Sequence, residues 1–279
     1  MAELQAITGL EAVSAGYDAI FCDVWGVVHD GEKKSPSAEA ALLAAKRAGR
    51  KVILLTNSPR PNDGVAAQLD TLGVTREAYD RIVTSGDVTR VLISAAGTKL
   101  FHLGPARDRD LFVGLPIELV AEDEAEAVIA TGLFNDEAET PADYVDLLAR
   151  LNARRLPMIC ANPDIVVHRG ERLIWCAGAL ARDYAALGGE VRMAGKPYAA
   201  IYAVAADVAG VTDPRRVLCI GDGLNTDIRG AVNYGADALL VVGGIHGEEL
   251  GGAEVAAEAL AVALAEQDLH ARYFLYALA

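Results

Sequence analysis

The sequence predicts an α/β protein whose core is a doubly wound parallel sheet. Two observations carry this prediction: apolar runs of strand length alternate with stretches of helical pattern, and Gly or Pro stands at the ends of several of those stretches. A strand that is apolar on both faces is buried on both faces. A parallel sheet of such strands therefore requires helices above and below it.

The first third of the chain contains three strand–helix pairs. One helix begins at Ser35 and Pro36, because serine is a good N-cap and proline suits the first helical turn, and it stops at Gly49. The other elements of this part are strands at 19–23, 51–55 and 82–84 and helices at 63–72 and 91–95. The last third continues the pattern with strands at 216–221 and 238–242 and a helix at 226–234.

The middle of the chain has shorter strand candidates and acidic patches that are most simply exposed surfaces. The strand candidates are KLFHLG, EAVIATG and PMICAN. Because no linker or repeat separates this region from its flanks, we interpret it as an α/β domain inserted into the sheet domain. The sequence therefore predicts a core domain formed by 1–92 and 191–279 and an inserted domain formed by 93–190.

Composition excludes two classes of partner. The chain has 279 residues, of which 52% are hydrophobic and 23% charged, as in well-packed globular proteins. Its 25 Lys and Arg against 39 Asp and Glu give a formal net charge of −14, and basic residues never run beyond adjacent pairs. Binding to nucleic acid or to an anionic membrane surface needs clustered cations. We therefore expect neither partner, and an anionic ligand requires a locally built site.

The cysteines and the apolar runs predict a cytoplasmic protein. Four cysteines lie far apart with no CxxC spacing, so we expect buried reduced thiols at Cys22, Cys160, Cys176 and Cys219. The longest apolar runs, at 198–206 and 238–245, are well short of the roughly 18 residues of a membrane span. The N-terminus lacks the basic segment ahead of an apolar core that marks a signal peptide.

Polar side chains gather at or near the carboxyl ends of the predicted strands, where open α/β sheets bind ligands. They are Asp23, Thr56, Asn57, Ser58, Lys196, Asp222 and Asp227. Each alone is equally well explained as a turn residue, a helix cap or a surface side chain. Together they supply what Mg²⁺-assisted displacement at phosphorus needs. Carboxylates bind a hard cation, one of them can attack phosphorus, and Lys and Thr neutralise the phosphoryl oxygens.

Five segments, in this order and spacing, resemble the haloacid dehalogenase (HAD) superfamily of aspartate-nucleophile hydrolases. AIFCDVWGVVHDG, VILLTNSPRP, GKPYAAIY and IGDGLNTDIRGA are similar to its four motifs. ICANPD, in the inserted region, resembles the cap-domain signature of the class IIA branch, which includes the NagD-like and 4-nitrophenylphosphatase-like phosphatases. The resemblance covers nearly the whole chain and implies a Rossmann-like HAD core with an inserted α/β cap domain.

The resemblance implies a role for each matching residue of the reaction centre. Asp23 would be the nucleophile that forms an aspartyl-phosphate, and Lys196 would pair with both Asp23 and the phosphate. Asp23, Asp222 and the backbone carbonyl of Trp25 would hold Mg²⁺. Asp227 would support the water bound to that ion.

Other matching residues would bind the substrate. Thr56 would bind the phosphoryl oxygens together with Asn57 and Ser58, and it would also be a catalytic residue alongside Asp23 and Lys196. The residues that would lie beside the substrate or near the mouth of the site are Gly223, Leu224, Asn225, Thr226, Asn162 and Asp164. The inserted cap would close the site and choose the leaving group.

One position departs from the family pattern. Family phosphatases read DxD, and the second Asp protonates the leaving oxygen and then activates water, but this chain has Trp25 there. Indole exchanges no proton near neutral pH, so we expect the first half-reaction to be slow for poor leaving groups. We expect hydrolysis of the aspartyl-phosphate to be slow as well, unless another group substitutes. His29, Asp30 and His246 are nearby alternatives, and each is also explained as a loop or turn residue.

We therefore expect a Mg²⁺-dependent phosphatase of small phosphorylated metabolites such as sugar phosphates or nucleotides. Two alternatives remain open. An aromatic residue at position 25 is compatible with dehalogenase-like displacement at carbon. Loss of turnover would instead leave a binding or sensor protein that retains the phosphate and metal site. The resemblance is also compatible with a homodimer.

Overall fold

The computed structural model, which describes residues 4–169, 172–243 and 256–279, divides into two units. The first comprises Met1–Thr56, Ala66–Val83 and Lys196–Ala279. The second comprises Asn57–Val65 and Thr84–Gly195. The middle of the chain therefore forms most of the second unit, and the two ends form the first.

A seven-stranded sheet lies at the centre of the first unit. In spatial order its strands are β1 (Gln5–Ala6), β14 (Tyr273–Leu275), β13 (Asp237–Val241), β12 (Val217–Gly221), β2 (Ala19–Cys22), β3 (Lys51–Thr56) and β4 (Arg81–Thr84). Every residue of β2 and β12 is buried, which confirms strands covered on both faces. The helices are α1 (Glu11–Ser14), α2 (Pro36–Arg47), most of α3 (Asn62–Thr71), α7 (Ala199–Ala209), α8 (Arg229–Tyr234) and α9 (Ala257–Ala265).

Helix α2 begins and ends where its sequence predicts. The Ala38 N–H donates to Ser35 Oγ at 3.3 Å, and Pro36 occupies the first turn. Lys46 and Arg47 lie in the last turn, where their charges complement the helix dipole. Both α2 and α7 pack against β3.

The strand order reverses between β2 and β12. From β2 the chain continues to β3 and β4 on one side, and β12 is followed by β13 and β14 on the other. The strands β2 and β12 are parallel, and Ile220 pairs with Cys22. Residues that follow these two strands therefore meet at a topological switch point, the usual ligand site of an open α/β sheet.

Several predicted elements of the first third differ from the structure at their ends. Strand β2 ends at Cys22, so Asp23 follows the strand, although the Asp23 N–H still donates to Ile220 O at 2.8 Å. Helix α4 (Ser85–Ile93) begins earlier and ends sooner than the predicted third helix. Thr84 caps α4 directly after β4, so no loop separates that strand from the helix.

The second unit contains a five-stranded parallel sheet. Its strands, in spatial order, are β11 (Val191–Met193), β8 (Met158–Cys160), β7 (Ala127–Ala130), β5 (Lys99–Leu103) and β6 (Glu118–Leu119). An antiparallel pair is formed by β9 (Val166–Arg169) and β10 (Arg172–Trp175). The helices are α4, α5 (Val145–Ala153) and α6 (Ala177–Ala186).

Strand β7 shows how this sheet is buried. Val128 and Ala130 pack into one apolar cluster, which also contains Tyr184 of α6. Ala127 and Ile129 pack into a second cluster on the other face. Successive side chains of a strand point to opposite faces, so a strand apolar at every position needs a cover on both sides.

The second unit is larger than the predicted inserted domain of 93–190. Helix α4 belongs to it because Ile93 packs in the same apolar cluster as Leu100 and Ile129. The segment 57–65 belongs to it as well, and there the Asn62 N–H donates to Asp87 Oδ1 at 3.2 Å. That this unit acts as a specificity cap stays a prediction.

The four cysteines are buried and free, as the sequence predicts. Burial is the largest cause that raises the pKa of each thiol, to about 12 for Cys160. Among the described helices, none has the length and apolar character that would let it cross a membrane.

We expect Thr84→Ala to lower the free energy of unfolding by about 1–2 kcal/mol, because the Asp87 N–H loses its side-chain acceptor at 2.9 Å. The shift in the midpoint of urea unfolding, followed by circular dichroism, measures this. Thr71→Ala is the matched control. The Thr71 hydroxyl only donates to Ala67 O on an exposed helix face, so the midpoint should move little. Equal shifts in the two variants would contradict a role for the cap.

Candidate active site

Two carboxylates follow the two strands at the switch point. Asp23 comes directly after β2, and Asp222 directly after β12. Both side chains are buried. The sequence predicts this pairing correctly, because the ends of neighbouring parallel strands lie at the same edge of the sheet.

Asp227 reaches the same edge from the turn that follows β12. Residues Leu224–Ile228 form a π-helical turn, so the prediction of a regular helix from 226 is wrong at its start. The Gly223 N–H donates to Asp227 Oδ2 at 3.0 Å, which fixes the carboxylate inside the turn. Helix α8 then continues to Tyr234, as predicted.

Lys196 links two of these carboxylates. Its Nζ donates to Asp23 Oδ1 at 2.6 Å and to Asp227 Oδ1 at 2.7 Å, and only 3% of its side chain is exposed. Hydrogen bonds between ionised partners are the strong ones, and removal of one partner leaves a buried charge without compensation. Lys196 is therefore part of the site's charge balance, as its predicted catalytic role requires.

The carboxylate cluster fits a divalent cation. Asp23, Asp222 and Asp227 each offer one oxygen, and these atoms lie within 4.8 Å of one another. Hard divalent cations prefer carboxylate oxygens of this kind. One lysine cannot neutralise three carboxylates, so an added cation would offset the remaining negative charge. The proposed ligand role of the Trp25 carbonyl stays a prediction.

Two glycines leave room for the carboxylates. Gly26 has a φ of +87°, and a Cβ there would lie 2.2 Å from Asp222 Oδ2. A Cβ at Gly221 would lie 2.1 Å from the Asp227 carboxyl carbon. Any larger residue at either position would displace an acidic side chain. These glycines were missed as functional positions, although each stands next to a motif residue.

Burial raises the pKa of Asp23 well above its ordinary value, and the neighbouring Asp227 charge raises it further. The charge of Lys196 and its hydrogen bond act in the opposite direction. The net effect in the cation-free site is a pKa of Asp23 above the ordinary aspartate value. A bound cation would lower this pKa, because coordination requires the carboxylate.

Trp25 and His29 pack against each other in the loop after β2. Their ring centroids are 4.9 Å apart at an interplanar angle of 66°. His29 is buried, and its Nδ1 accepts the Gly31 N–H at 2.9 Å. Burial lowers the pKa of His29 to about 4, so the ring is neutral at pH 7. His29 is therefore a loop residue, as one of its two explanations has it, but a buried one.

Asp30 is exposed and takes part in a turn. Its Oδ1 accepts the Glu32 N–H at 2.9 Å and the Lys33 N–H at 2.7 Å. Partial burial raises the pKa of Asp30, but the backbone N–H donors outweigh it and the net pKa is lowered. These contacts favour the turn interpretation of Asp30. The third alternative acid, His246, lies outside the described residues.

The predicted phosphate-binding residues divide between the two units. Thr56 is buried at the end of β3 in the first unit. The next residues, Asn57 and Ser58, belong to the second unit. There Asn57 Nδ2 donates to Asp164 Oδ1 at 2.9 Å, and the Asp164 N–H donates to Asn162 Oδ1 at 3.1 Å. The sequence does not predict these contacts, although both motifs are recognisable.

The residues predicted to lie beside the substrate form the π-helical turn and its entry. Leu224 is buried, whereas Asn225 is exposed and Thr226 is partly exposed. The Gly223 N–H is engaged by Asp227. Leu224 packs into the unit, and contact of these four residues with a substrate stays a prediction.

Gly195 is another position that sequence reasoning missed. Its φ is +99°, and a Cβ there would lie 2.3 Å from Ser85 Oγ and 2.5 Å from Asn57 Oδ1. The Ser85 hydroxyl donates to Ala194 O at 2.6 Å, so this part of the second unit is tightly packed. Its position directly before the motif residue Lys196 was the sequence signal that could have identified it.

Comparisons with known proteins identify relatives over the whole chain. A family model described as haloacid dehalogenase-like hydrolase matches residues 20–118, and one described as HAD-hydrolase-like matches residues 193–266. A solved hydrolase of the haloacid dehalogenase-like family from Brucella suis 1330 is 49% identical, with a TM-score of 0.88. That match covers 99% of this chain and 100% of the Brucella chain, so it spans both units.

Two relatives have more specific names. A D-glycerol 3-phosphate phosphatase from Mycobacterium tuberculosis is 27% identical over 242 residues, which are 85% of this chain and 66% of that protein. The chain thus spans just under two thirds of the length of that relative. A 4-nitrophenylphosphatase from Schizosaccharomyces pombe is 24% identical over 266 residues, with 84% of this chain and 86% of that protein covered.

We expect cation binding to strengthen as pH rises. The pKa of Asp23 in the folded state is above the ordinary aspartate value. The cation-free protein therefore loses stability as pH rises from the ordinary pKa to the raised one. Cation binding displaces the proton. The rise in melting temperature caused by magnesium chloride should therefore grow from about pH 4 up to the raised pKa and then level off. Scanning fluorimetry across this range measures it.

Two variants control this experiment. Asp222→Asn removes a carboxylate of the cluster and should abolish the magnesium-dependent rise at every pH. Asp207→Asn changes an exposed side chain on α7 and should retain it. A rise that is independent of pH, or that persists in Asp222→Asn, would contradict the cation site.

Proposed function

Because the chain belongs to the haloacid dehalogenase-like hydrolases, we propose that it is a Mg²⁺-dependent phosphatase of small phosphorylated metabolites that works through Asp23. The contact that carries the proposal is the buried bridge from Lys196 to Asp23 and Asp227. A carboxylate that is paired with a lysine and surrounded by further carboxylates is suited to attack phosphorus once the excess charge is neutralised.

Asp23 performs the first step in this proposal. Lys196 holds Oδ1 at 2.6 Å, which leaves Oδ2 as the attacking oxygen. A bond forms between Oδ2 and phosphorus, the bond from phosphorus to the leaving oxygen breaks, and the leaving oxygen takes the electron pair. Water then attacks phosphorus, the bond to Asp23 breaks, and inorganic phosphate is released.

Mg²⁺ would be held by Asp23, Asp222 and the Trp25 carbonyl, with Asp227 supporting bound water, as the resemblance implies. When bound, the ion would reduce the repulsion between an anionic nucleophile and a phosphate dianion. The hard oxygen donors of the cluster support this choice of metal. Lys196 would then be available to both Asp23 and a phosphoryl oxygen.

Thr56, Asn57 and Ser58 would bind the phosphoryl oxygens in this proposal. The names of the Mycobacterium and Schizosaccharomyces relatives support a small phosphorylated substrate. The second unit would act as the cap that chooses the leaving group, with Asn162 and Asp164 near the site. The buried free thiols support a reducing, cytoplasmic location, and a homodimer is compatible with the family.

We expect Asp23→Asn to lower phosphate release from an aryl phosphate by more than about 10³-fold, because the amide cannot act as the nucleophile. Continuous assay of inorganic phosphate with magnesium chloride measures this. Asp207→Asn, on the exposed face of α7, should behave as wild type. Equal activity in Asp23→Asn would contradict the proposal. Silence of the wild type with magnesium-dependent binding of orthovanadate would favour the binding-protein alternative.

We also expect the phosphorylated form of Asp23 to accumulate during turnover. Trp25 provides no base for the attacking water, and a positioned base contributes about 10²–10⁴-fold to such a step. Acid quenching with radiolabelled substrate should therefore trap close to stoichiometric label on the protein, preceded by a burst of the leaving group. A linear time course without trapped label would contradict slow hydrolysis of the intermediate.

A further inference from the structure

The side chain of Asn57, a predicted phosphate-binding residue of the second unit, is held at both of its polar atoms. Its Nδ2 donates to Asp164 Oδ1 at 2.9 Å. Its Oδ1 lies so close to Gly195 that a Cβ there would be only 2.5 Å away. An amide nitrogen carries two hydrogens in one plane, so a bond from one of them to Asp164 fixes the direction of the other.

The main chain of Asp164 is fixed by the start of α6 and by its own loop. The Gly178 N–H donates to Asp164 O at 3.1 Å. A Cβ at Gly178 would lie 2.4 Å from the same oxygen and 2.2 Å from Pro163 O, so a larger residue would displace the loop. The Asp164 N–H donates to Asn162 Oδ1 at 3.1 Å. Both main-chain polar groups of Asp164 are therefore bound, and its carboxylate projects from a fixed backbone.

Two buried thiols hold Asn162 in turn. Cys160 ends β8, and its Sγ donates to Asn162 O at 3.2 Å. Cys176 directly precedes α6, and its sulfur forms a hydrogen bond with the Asn162 side chain. Because Asn162 Oδ1 accepts the Asp164 N–H, Nδ2 is the atom that donates to this sulfur. Both polar atoms of the Asn162 side chain are thus engaged by neighbouring residues.

We infer that Asp164 is a positioning residue that fixes the amide of Asn57, and that Asn162 holds Asp164 for this task. Cys160 and Cys176 support the arrangement from the interior, and in this role neither thiol reacts. All of these residues belong to the second unit. The inference rests on the proposed function, because a fixed amide affects the reaction only if Asn57 binds a phosphoryl oxygen as proposed.

A double-mutant cycle tests the inference. We would measure kcat/KM for an aryl phosphate with magnesium chloride in Asn57→Ala, in Asp164→Ala and in the double variant. Loss of the bond that orients the amide should lower kcat/KM of Asp164→Ala by about 2–10-fold. If Asp164 acts through Asn57, the double variant should match Asn57→Ala within about 2-fold. Asp164→Asn, which retains an acceptor oxygen, should recover most of the loss.

A pair of variants at Cys176 tests the thiols. Cys176→Ala removes the sulfur that holds the Asn162 amide and should also lower kcat/KM, whereas Cys176→Ser retains an acceptor and should restore it. Val128→Ala is the control, because it opens space in the apolar cluster that contains Cys160 without removing a polar group. It should lower the midpoint of urea unfolding and leave kcat/KM unchanged.

Exchange of the Asn57 side-chain hydrogens with solvent provides a readout that needs no catalysis. Followed by NMR, the hydrogen directed at Asp164 should be protected in wild type and in Val128→Ala. Asp164→Ala and Cys176→Ala should lose this protection, because the first removes the acceptor and the second loosens the loop that carries it.

Each outcome decides a distinct point. A double variant whose loss is the product of the two single losses, or an Asp164→Ala as active as wild type, would overturn the positioning role. Unchanged kcat/KM and unchanged exchange in Cys176→Ala would overturn the role of the thiols. Release of no phosphate by wild type would overturn the proposed function, and the exchange measurement would then decide whether Asp164 fixes Asn57. If Asp164→Ala does not fold, Asn162→Ala enters the same cycle with Asn57→Ala.

Discussion

Three buried carboxylates within 4.8 Å of one another are the constraint on which the first unit depends. An ionised carboxylate removed from water is unstable unless it is paired, hydrogen-bonded or coordinated. Lys196 pairs with two of them, and the Gly223 N–H binds one of those two a second time. The parallel sheet brings the cluster together, because its two central strands end side by side where the strand order reverses.

The net charge of −14 bears on how the site could bind an anionic substrate. A strongly acidic protein does not attract phosphate through its overall field, and three further carboxylates at the site would repel it. In the proposed function, phosphate recognition would therefore depend on cations at one point, namely Lys196 and a bound metal ion. The acidic balance from which we expect no nucleic-acid partner would also make a metal-free form of the site unsuited to a phosphorylated substrate.

The sequence predicts the fold class and the residue types of the site, because both follow from local pattern. Asp222, for example, comes directly after a continuous apolar run that forms strand β12. The π-helical turn was not predictable from local pattern, and its residue Asp227 bonds to Lys196, which is 31 residues away in the chain. The extent of the second unit was not predictable either, because packing of Ile93 against Leu100 assigns α4 to that unit. Tertiary contacts decide both.

The buried thiols have a practical consequence for spectroscopy. Labelling reagents react with thiolates, and burial raises the pKa of all four native cysteines while it shields them from solvent. A single cysteine engineered on the surface can therefore carry a fluorophore or spin label without prior removal of the native ones. Cys22, which adjoins Asp23, would stay in place. The label would then report on the single position chosen for it.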